Sequence, residues 1–185
     1  MDGDGFTLAG SDVRIPLLGV GTWAWGDRAT WGMGGYDADL TRDSIRTAWE
    51  ASVDAGVTLF DTAEVYGRGE SERIIGSLLA ADPGRAASVV VATKFMPAPQ
   101  KLNVRGALMK SLRASVARLG VERVGLYQIH GPISLRSHAA LADALADAHG
   151  AGLVQAVGVS NYSAGETRAV AAQLAARGLL SLIHI

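Results

Sequence analysis

The chain has 185 residues, of which 49% are hydrophobic and 19% are charged, so it can bury the core of one globular domain. Its formal net charge of −1 excludes a large electrostatic attraction to nucleic acid or to an anionic membrane, and no apolar run approaches the roughly 18 residues of a membrane span. Cysteine is absent, which excludes disulfides, thiolate catalysis and cysteine-ligated metals. The acidic start of the chain lacks the pattern of a secretory signal, so we expect one cytoplasmic domain over residues 1–185.

The first forty residues predict a hairpin, a strand and a long loop. Apolar residues alternate loosely from Phe6 to Ile15 around a Gly-Ser-Asp turn, which is typical of a small hairpin. A short apolar strand at 17–23 follows and enters a Gly- and Trp-rich loop that runs to about Tyr36. Long loops of this kind tend to carry function. The loop contains Trp25, Gly26, Trp31, Gly32, Gly34 and Gly35.

Beyond this loop the hydrophobic period changes repeatedly between that of helices and that of strands. Gly56 and Gly120 can each end a helix in a left-handed conformation, Ser137 can cap the start of another, and Ser163 with Glu166 forms a capping box. The predicted helices are about 41–55, 70–80, 104–119, 138–148 and 164–176; the predicted strands are 57–60, 89–92, 124–129 and 154–159, and an apolar run at 179–185 starts one more.

This alternation predicts an α/β fold. Strands and helices joined by short connections imply a parallel sheet with right-handed crossovers. Two closures remain open at this point, an open doubly wound sheet and an eight-stranded barrel.

Polar side chains follow four successive predicted strands. Asp61, Lys94, His130 and the pair Ser160-Asn161 stand where these strands end. By themselves, Asp61 and the nearby Tyr66 favour a turn and a surface phenol. Because catalytic groups of parallel α/β proteins collect at the carboxyl ends of the strands, the other strand ends favour a single pocket instead.

These side chains suit the reduction of a carbonyl group. Asp61 can hold the ammonium group of Lys94, and that ammonium is expected to lower the pKa of Tyr66 from its ordinary value of about 10. Tyr66 could then donate a proton to an oxygen that becomes an alkoxide, while neutral His130 orients the same oxygen. Proteins have no hydride donor of their own, so a nicotinamide cofactor is implied, with Ser160-Asn161 at its carboxamide.

Five segments carry a resemblance to a known family. They read Gly-Val-Gly-Thr-Trp at 19–23, Asp-Thr-Ala-Glu-Val-Tyr-Gly at 61–67, Val-Ala-Thr-Lys at 91–94, Leu-Tyr-Gln-Ile-His at 126–130 and Val-Gly-Val-Ser-Asn at 157–161. In this order, over about residues 17–178, the chain resembles the aldo-keto reductases. The Trp-rich loop and the His-Gly-Pro at 130–132 look most like the bacterial and plant-plastid oxidoreductase branch.

The resemblance implies a (β/α)₈ barrel, of which this chain would hold the first five to six β/α units behind a hairpin that closes the barrel bottom. It implies a small-molecule carbonyl substrate and NADPH as cofactor, with NADH as the alternative. The implied catalytic residues are Asp61, Tyr66, Lys94 and His130, with Tyr66 as the proton donor. The implied cofactor-binding residues are Gly21, Thr22, Trp23, Asp61, Ser160 and Asn161. No metal site is implied.

The resemblance also implies that the chain is C-terminally incomplete. We expect residues 1–185 alone to be marginally stable, prone to aggregation and weakly active or inactive, because an open sheet exposes an edge and the barrel interior. The tail at 180–185 resembles a translated sequencing adapter, and we expect it to carry no functional information. Two other interpretations stay open: a redox-sensing regulatory subunit that binds the cofactor, and a non-functional gene fragment.

Overall fold

The computed structural model describes residues 5–26, 40–179 and 183–184. The predictions made for Trp31, for the glycines at 32, 34 and 35 and for Tyr36 therefore lie outside the described residues. The chain starts with the predicted hairpin, in which β1 (Gly5–Thr7) pairs antiparallel with β2 (Arg14–Pro16). The hairpin forms a sheet of its own and leads directly into the main sheet.

Six parallel strands form the main sheet, and they lie side by side in chain order. The strands are β3 (Gly19–Gly21), β4 (Leu59–Asp61), β5 (Val90–Phe95), β6 (Val124–Ile129), β7 (Val154–Val159) and β8 (Ile183–His184). A doubly wound sheet reverses its strand order at a switch point, and this sheet does not. The unbroken chain order is that of part of a barrel, which is open here because, among the described residues, β3 pairs only with β4 and β8 only with β7.

Helices connect the strands and cover one face of the sheet. They are α1 (Arg42–Asp54), α2 (Glu70–Ala81), α3 (Pro83–Ala86), α4 (Val104–Leu119), α5 (His138–Gly150) and α6 (Ala164–Ala175), and a 3₁₀ turn at Tyr66–Gly69 precedes α2. The helix ends follow the sequence signals. Ser137 caps α5, Ser163 and Glu166 form the capping box of α6, and Gly120 ends α4 at φ 67°. These local predictions are confirmed.

Two strands run further than predicted. Strand β5 was expected to end at residue 92 and instead includes Lys94, while β4 includes Asp61. The register explains the difference, because Lys94 lies opposite Gln128 of β6 and the ladder continues to Phe95. The end of an apolar run therefore underestimates the length of these strands, because polar side chains appear on the inner face before the backbone pairing ends.

The sheet separates two clusters of apolar side chains. The outer cluster fills the space between the sheet and the helices, where Trp25 and Trp49 pack against Phe60 with ring centroids 6.1 and 6.5 Å apart. The inner cluster joins the hairpin to the inner face of the strands. Its members are Leu8, Val13, Ile15, Leu59, Ala92, Leu126 and Ala156. The hairpin thus packs inside the curved sheet, as the family resemblance implies.

Helices α2 and α4 lie close together at Gly76. A Cβ atom placed on Gly76 would lie 2.5 Å from the carbonyl oxygen of Arg118 and 2.8 Å from that of Leu119. Both are backbone atoms at the end of α4, so they can move only if the helix moves. The absence of a side chain at residue 76 sets the distance between the two helices.

We predict that Gly76→Ala lowers the free energy of unfolding by about 1–3 kcal/mol, because the added methyl group forces the two helices apart. Gly165→Ala in α6 is the matched control, since its Cβ meets open space among the described residues. That change should be neutral or stabilising by up to about 1 kcal/mol. Urea unfolding followed by circular dichroism measures both, and equal stabilities of the two variants would contradict the packing described here.

Candidate functional site

A buried ion pair lies where β4 and β5 end. Lys94 is 2% exposed, and its Nζ donates to Oδ2 of Asp61 at 2.5 Å and to the carbonyl oxygen of Thr62 at 2.9 Å. The Asp61 side chain keeps 19% of its surface exposed. The ammonium group is therefore anchored to two consecutive residues of the neighbouring strand end, while the carboxylate borders the open side of the site.

Tyr66 and His130 lie against this pair. The Tyr66 Oη is 3.5 Å from Nζ of Lys94, and the ammonium lies 5.1 Å from the centre of the Tyr66 ring. The rings of Tyr66 and His130 meet edge to face, with centroids 5.5 Å apart at 78°. The structure thus brings together the four residues that the sequence predicts as catalytic, although they come from three strand ends and one turn.

The backbone after Tyr66 explains how a short segment turns its phenol into the site. Residues 67–69 have φ values of 55°, 57° and 83°, all in the left-handed region. Glycine fits this conformation without strain. At Gly67 a side chain would also meet the carbonyl oxygen of Gly26 at 3.0 Å, so the tight turn needs glycine there. The turn then leads directly into α2.

Burial sets the electrostatics of the ion pair. Burial lowers the pKa of Lys94 and raises the pKa of Asp61, because it penalises the charged form of each. Their mutual attraction opposes both shifts. Each group therefore depends on the other to remain charged.

The expected lowering of the Tyr66 pKa is wrong. Burial, and after it the negative charge of Asp61, raises the pKa of Tyr66 to about 12. The ammonium of Lys94 does not reverse this shift, because it lies closer to the Asp61 carboxylate, at 2.5 Å, than to the phenol, at 3.5 Å. The phenol is consequently protonated at neutral pH.

His130 is neutral at the same pH. Burial, and after it the positive charge of Lys94, lowers the pKa of His130 to about 4. The backbone N–H of His130 donates to the carbonyl oxygen of Phe95 at 2.9 Å, which fixes the residue at the end of β6. Its Nδ1 is buried without a hydrogen-bond partner among the described residues. The imidazole thus offers hydrogen bonds without a charge.

Ser160 and Asn161 adjoin His130 at the end of β7. The side-chain amide of Asn161 donates to the carbonyl oxygen of His130 at 3.1 Å and to Oγ of Ser160 at 3.0 Å. Asn161 adopts the left-handed φ of 61° that directs this exposed residue back over the strand ends. These two bonds use both amide protons of Asn161. The hydroxyl proton of Ser160 and the amide oxygen of Asn161 have no hydrogen-bond partner among the described residues, so the pair can offer them to a ligand.

The three predicted cofactor residues of the first strand differ in their surroundings. Gly21 pairs with Asp61, and both border a cavity of about 320 Å³. Thr22 is fully buried, and both its backbone N–H and its hydroxyl donate to the carbonyl oxygen of Asp61. The indole of Trp23 is 40% exposed, and within the described residues no ring contact links it to the four central side chains. Trp23 is thus not a core residue, whereas Trp25 is.

Three polar residues near the site, two of them fully buried, were missed from the sequence. Thr62 and Ser71 are fully buried and bond to each other, and Glu64 accepts from the backbone N–H of Met96 at 2.8 Å and from Lys101 at 3.3 Å. Their position in the sequence was an available signal, because Thr62 and Glu64 directly follow the strand end at Asp61 inside the motif at 61–67.

The described residues contain no group of three or more histidine and acidic side chains that could hold a metal ion. No helix within 5–26 or 40–179 has the length and apolar character needed to cross a bilayer.

Comparison with known proteins gives one family. The model of the aldo/keto reductase family matches residues 17–178. The chain is 38% identical over 162 residues to the chloroplastic pyridoxal reductase of Arabidopsis thaliana, and 37% identical over 172 residues to an uncharacterized oxidoreductase of Mycobacterium bovis. The expected likeness to bacterial and plant-plastid oxidoreductases is confirmed.

The structure is similar to that of an aldo/keto reductase from Klebsiella pneumoniae crystallised with NADP and acetate. The TM-score is 0.68 at 25% sequence identity, over 85% of this chain and 50% of that one. The match to the Arabidopsis protein includes 81% of this chain but only 42% of that protein. The match to the Mycobacterium protein includes 92% of this chain but only 50% of that protein. It thus spans about half the length of the curated relatives it matches.

We predict that His130 titrates near pH 4 in the folded chain, well below the ordinary pKa of 6.5, because the imidazole is buried beside the Lys94 ammonium. An NMR titration of the histidine side chains measures this, with the His130 signal assigned by its loss in His130→Gln. In Lys94→Met the His130 pKa should rise, since a positive charge is removed.

The same shift has a consequence for stability. Between pH 6.5 and about 4 the unfolded chain binds a proton at His130 that the folded chain does not, so this residue makes the fold less stable as pH falls through that window. A His130 pKa near 6.5, unchanged in Lys94→Met, would contradict the burial and the charge contact described for it.

Proposed function

The chain belongs to the aldo/keto reductase family, and from this premise we propose that its site reduces the carbonyl group of a small aldehyde or ketone to an alcohol, with NADPH as the hydride source. The observation that carries the proposal is a phenol kept protonated by burial between an ammonium and a neutral imidazole. A carbonyl oxygen that gains negative charge needs these groups: a proton donor, a cation close to that donor, and a neutral hydrogen-bond donor.

Tyr66 is proposed as the acid. Its Oη donates a proton to the carbonyl oxygen as that oxygen becomes an alkoxide, which leaves a phenolate and releases the alcohol. The Lys94 ammonium, 3.5 Å from Oη, stabilises the phenolate as it forms. A phenol with a pKa of about 12 is a weak acid before the reaction, so the attraction between Lys94 and the growing negative charge is needed in the transition state rather than in the ground state.

His130 and Asp61 support this transfer in different ways. The neutral imidazole of His130 packs edge-on against Tyr66 and can hydrogen-bond the substrate oxygen without competing as a stronger acid. Asp61 fixes the position of the Lys94 ammonium and offsets the cost of burying it. His130 therefore acts on the substrate oxygen and Asp61 acts on the cation beside the proton donor, and neither acts on the carbon that is reduced.

The residues at the end of β7 fit a nicotinamide group. A carboxamide has an N–H₂ donor and a carbonyl acceptor, and Ser160 and Asn161 present the complementary hydroxyl proton and amide oxygen. Gly21, Thr22, Trp23 and Asp61, at the ends of β3 and β4, are proposed to line the same group. When bound, the cofactor supplies the hydride. NADPH is proposed ahead of NADH because the similar Klebsiella pneumoniae enzyme was crystallised with NADP.

We predict that Tyr66→Phe lowers kcat for aldehyde reduction about 100- to 10,000-fold, because the proton donor is lost while the ring remains. NADPH oxidation is followed at steady state with a panel of aldehydes that includes pyridoxal, and cofactor binding is followed by fluorescence. The assay uses the 185-residue chain and the same chain joined to any coding sequence that follows it in its gene.

Tyr127→Phe is the matched control. Tyr127 is fully buried in the outer cluster, and its Oη has no partner among the described residues, so its loss should leave kcat unchanged. Full activity of Tyr66→Phe would show that Tyr66 is not the proton donor. Cofactor binding without turnover in the unmodified protein would favour the redox-sensing regulatory subunit instead.

A further inference from the structure

Three fully buried hydroxyl groups beside the site take no part in the proton transfer proposed above. They belong to Thr22 after β3, Thr62 after β4 and Ser71 in the first turn of α2, and each residue is 0% exposed. The Ser71 Oγ lies 2.7 Å from Oγ1 of Thr22 and 2.8 Å from Oγ1 of Thr62. A single serine on a helix thus joins the ends of two neighbouring strands.

The protons of these hydroxyls can be assigned in one consistent direction. The Thr22 hydroxyl donates to the carbonyl oxygen of Asp61 at 3.0 Å. The Ser71 hydroxyl donates to Thr22, either to Oγ1 at 2.7 Å or to the carbonyl oxygen at 3.0 Å. The remaining proton, on Thr62, is donated to Ser71. Each of the three hydroxyl protons is then donated to one acceptor, and the last acceptor in the series is the backbone carbonyl oxygen of Asp61.

The two ends of this chain are the two residues that hold Lys94. Asp61 binds the ammonium through Oδ2 and Thr62 binds it through its carbonyl oxygen. Their backbone is further fixed to β5 by the N–H of Thr62, which donates to the carbonyl oxygen of Ala92 at 2.8 Å. On the side away from β5, the backbone N–H of Thr22 donates to the carbonyl oxygen of Asp61 at 2.9 Å, and the hydroxyl chain adds a side-chain link that extends to Thr62.

We propose that the hydroxyl of Ser71 is a positioning group for the Lys94–Asp61 pair, acting through Thr22 and Thr62 on the backbone that carries both acceptors of the ammonium. The hydroxyl touches neither substrate nor cofactor. Its relevance to catalysis rests on the proposed function, whereas its effect on Lys94 does not.

The test measures Lys94 itself. The chain has three lysines, Lys94, Lys101 and Lys110, so the side-chain carbons next to their amino groups can be resolved by NMR after isotope labelling, with Lys94 assigned by its loss in Lys94→Met. The titratable groups that face the Lys94 ammonium are Asp61 from β4, Tyr66 from the turn before α2 and His130 after β6.

We expect Ser71→Ala to lower the pKa of Lys94 by about half a unit or more, because a looser Asp61 opposes the effect of burial less strongly. Thr62→Val removes the donor at the start of the chain with little change of shape and should shift the pKa in the same direction, whereas Thr62→Ser keeps the hydroxyl and should restore it. Ser115→Ala is the control, since Ser115 is a fully buried serine that bonds Arg118 and belongs to another helix.

A Lys94 pKa that is the same in Ser71→Ala and Thr62→Val as in Ser115→Ala would overturn the proposal. If Ser71→Ala does not fold, the comparison of Thr62→Val with Thr62→Ser decides alone. In the activity assay, kcat should fall severalfold in Ser71→Ala while cofactor affinity is kept. A shifted Lys94 pKa without reductase activity in either form of the chain that is assayed would support the positioning role and reject the proposed function.

Discussion

The site depends on the need to keep one buried ammonium group charged. Lys94 is almost completely enclosed, and a buried charge is tolerated only with an opposite charge and further hydrogen bonds. Asp61 supplies the charge and the carbonyl oxygen of Thr62 supplies the hydrogen bond. Both acceptors belong to the strand beside β5, so the ammonium fixes where these two strand ends meet. The position of Tyr66 follows, because its turn begins only a few residues beyond the same acceptors.

The inner face of the sheet changes from apolar to polar between side chains that are two residues apart along the same strand. Ala92 and Leu126 lie in the apolar cluster with the hairpin, whereas Lys94 and Gln128, two residues further along the same strands, lie opposite each other in the polar layer. Side chains two residues apart share a face of a strand, so the apolar layer directly underlies the polar one. The hairpin and this layer keep water from one side of the site. The burial that raises the pKa of Tyr66 and lowers that of His130 therefore arises from the same packing that closes this part of the barrel.

The local features of the fold were predictable because they depend on neighbours in the sequence. Helix α4, strands β6 and β7, and the caps at Ser137 and Ser163 follow from periodicity and from side chains that bond within one turn. The meeting of Lys94 with Asp61 was also predictable, because parallel strands place their ends at one edge. The sign of the Tyr66 pKa shift was not, since it depends on how far the phenol is buried and on its distance from the Asp61 carboxylate. The bonds of Ser71 likewise need the distance between a helix and two strands, which no spacing in the sequence encodes.

The central claim is that Lys94 and Asp61 act as one buried unit. A double-mutant cycle measures this directly, with urea unfolding of Asp61→Asn, Lys94→Met and the double variant. Each single change leaves a buried group without its partner and should cost about 3–5 kcal/mol of unfolding free energy. The double variant should cost less than the sum of the two, with a coupling of roughly 1.5 kcal/mol or more. Additive costs would mean that the two side chains contribute independently, and would contradict the account.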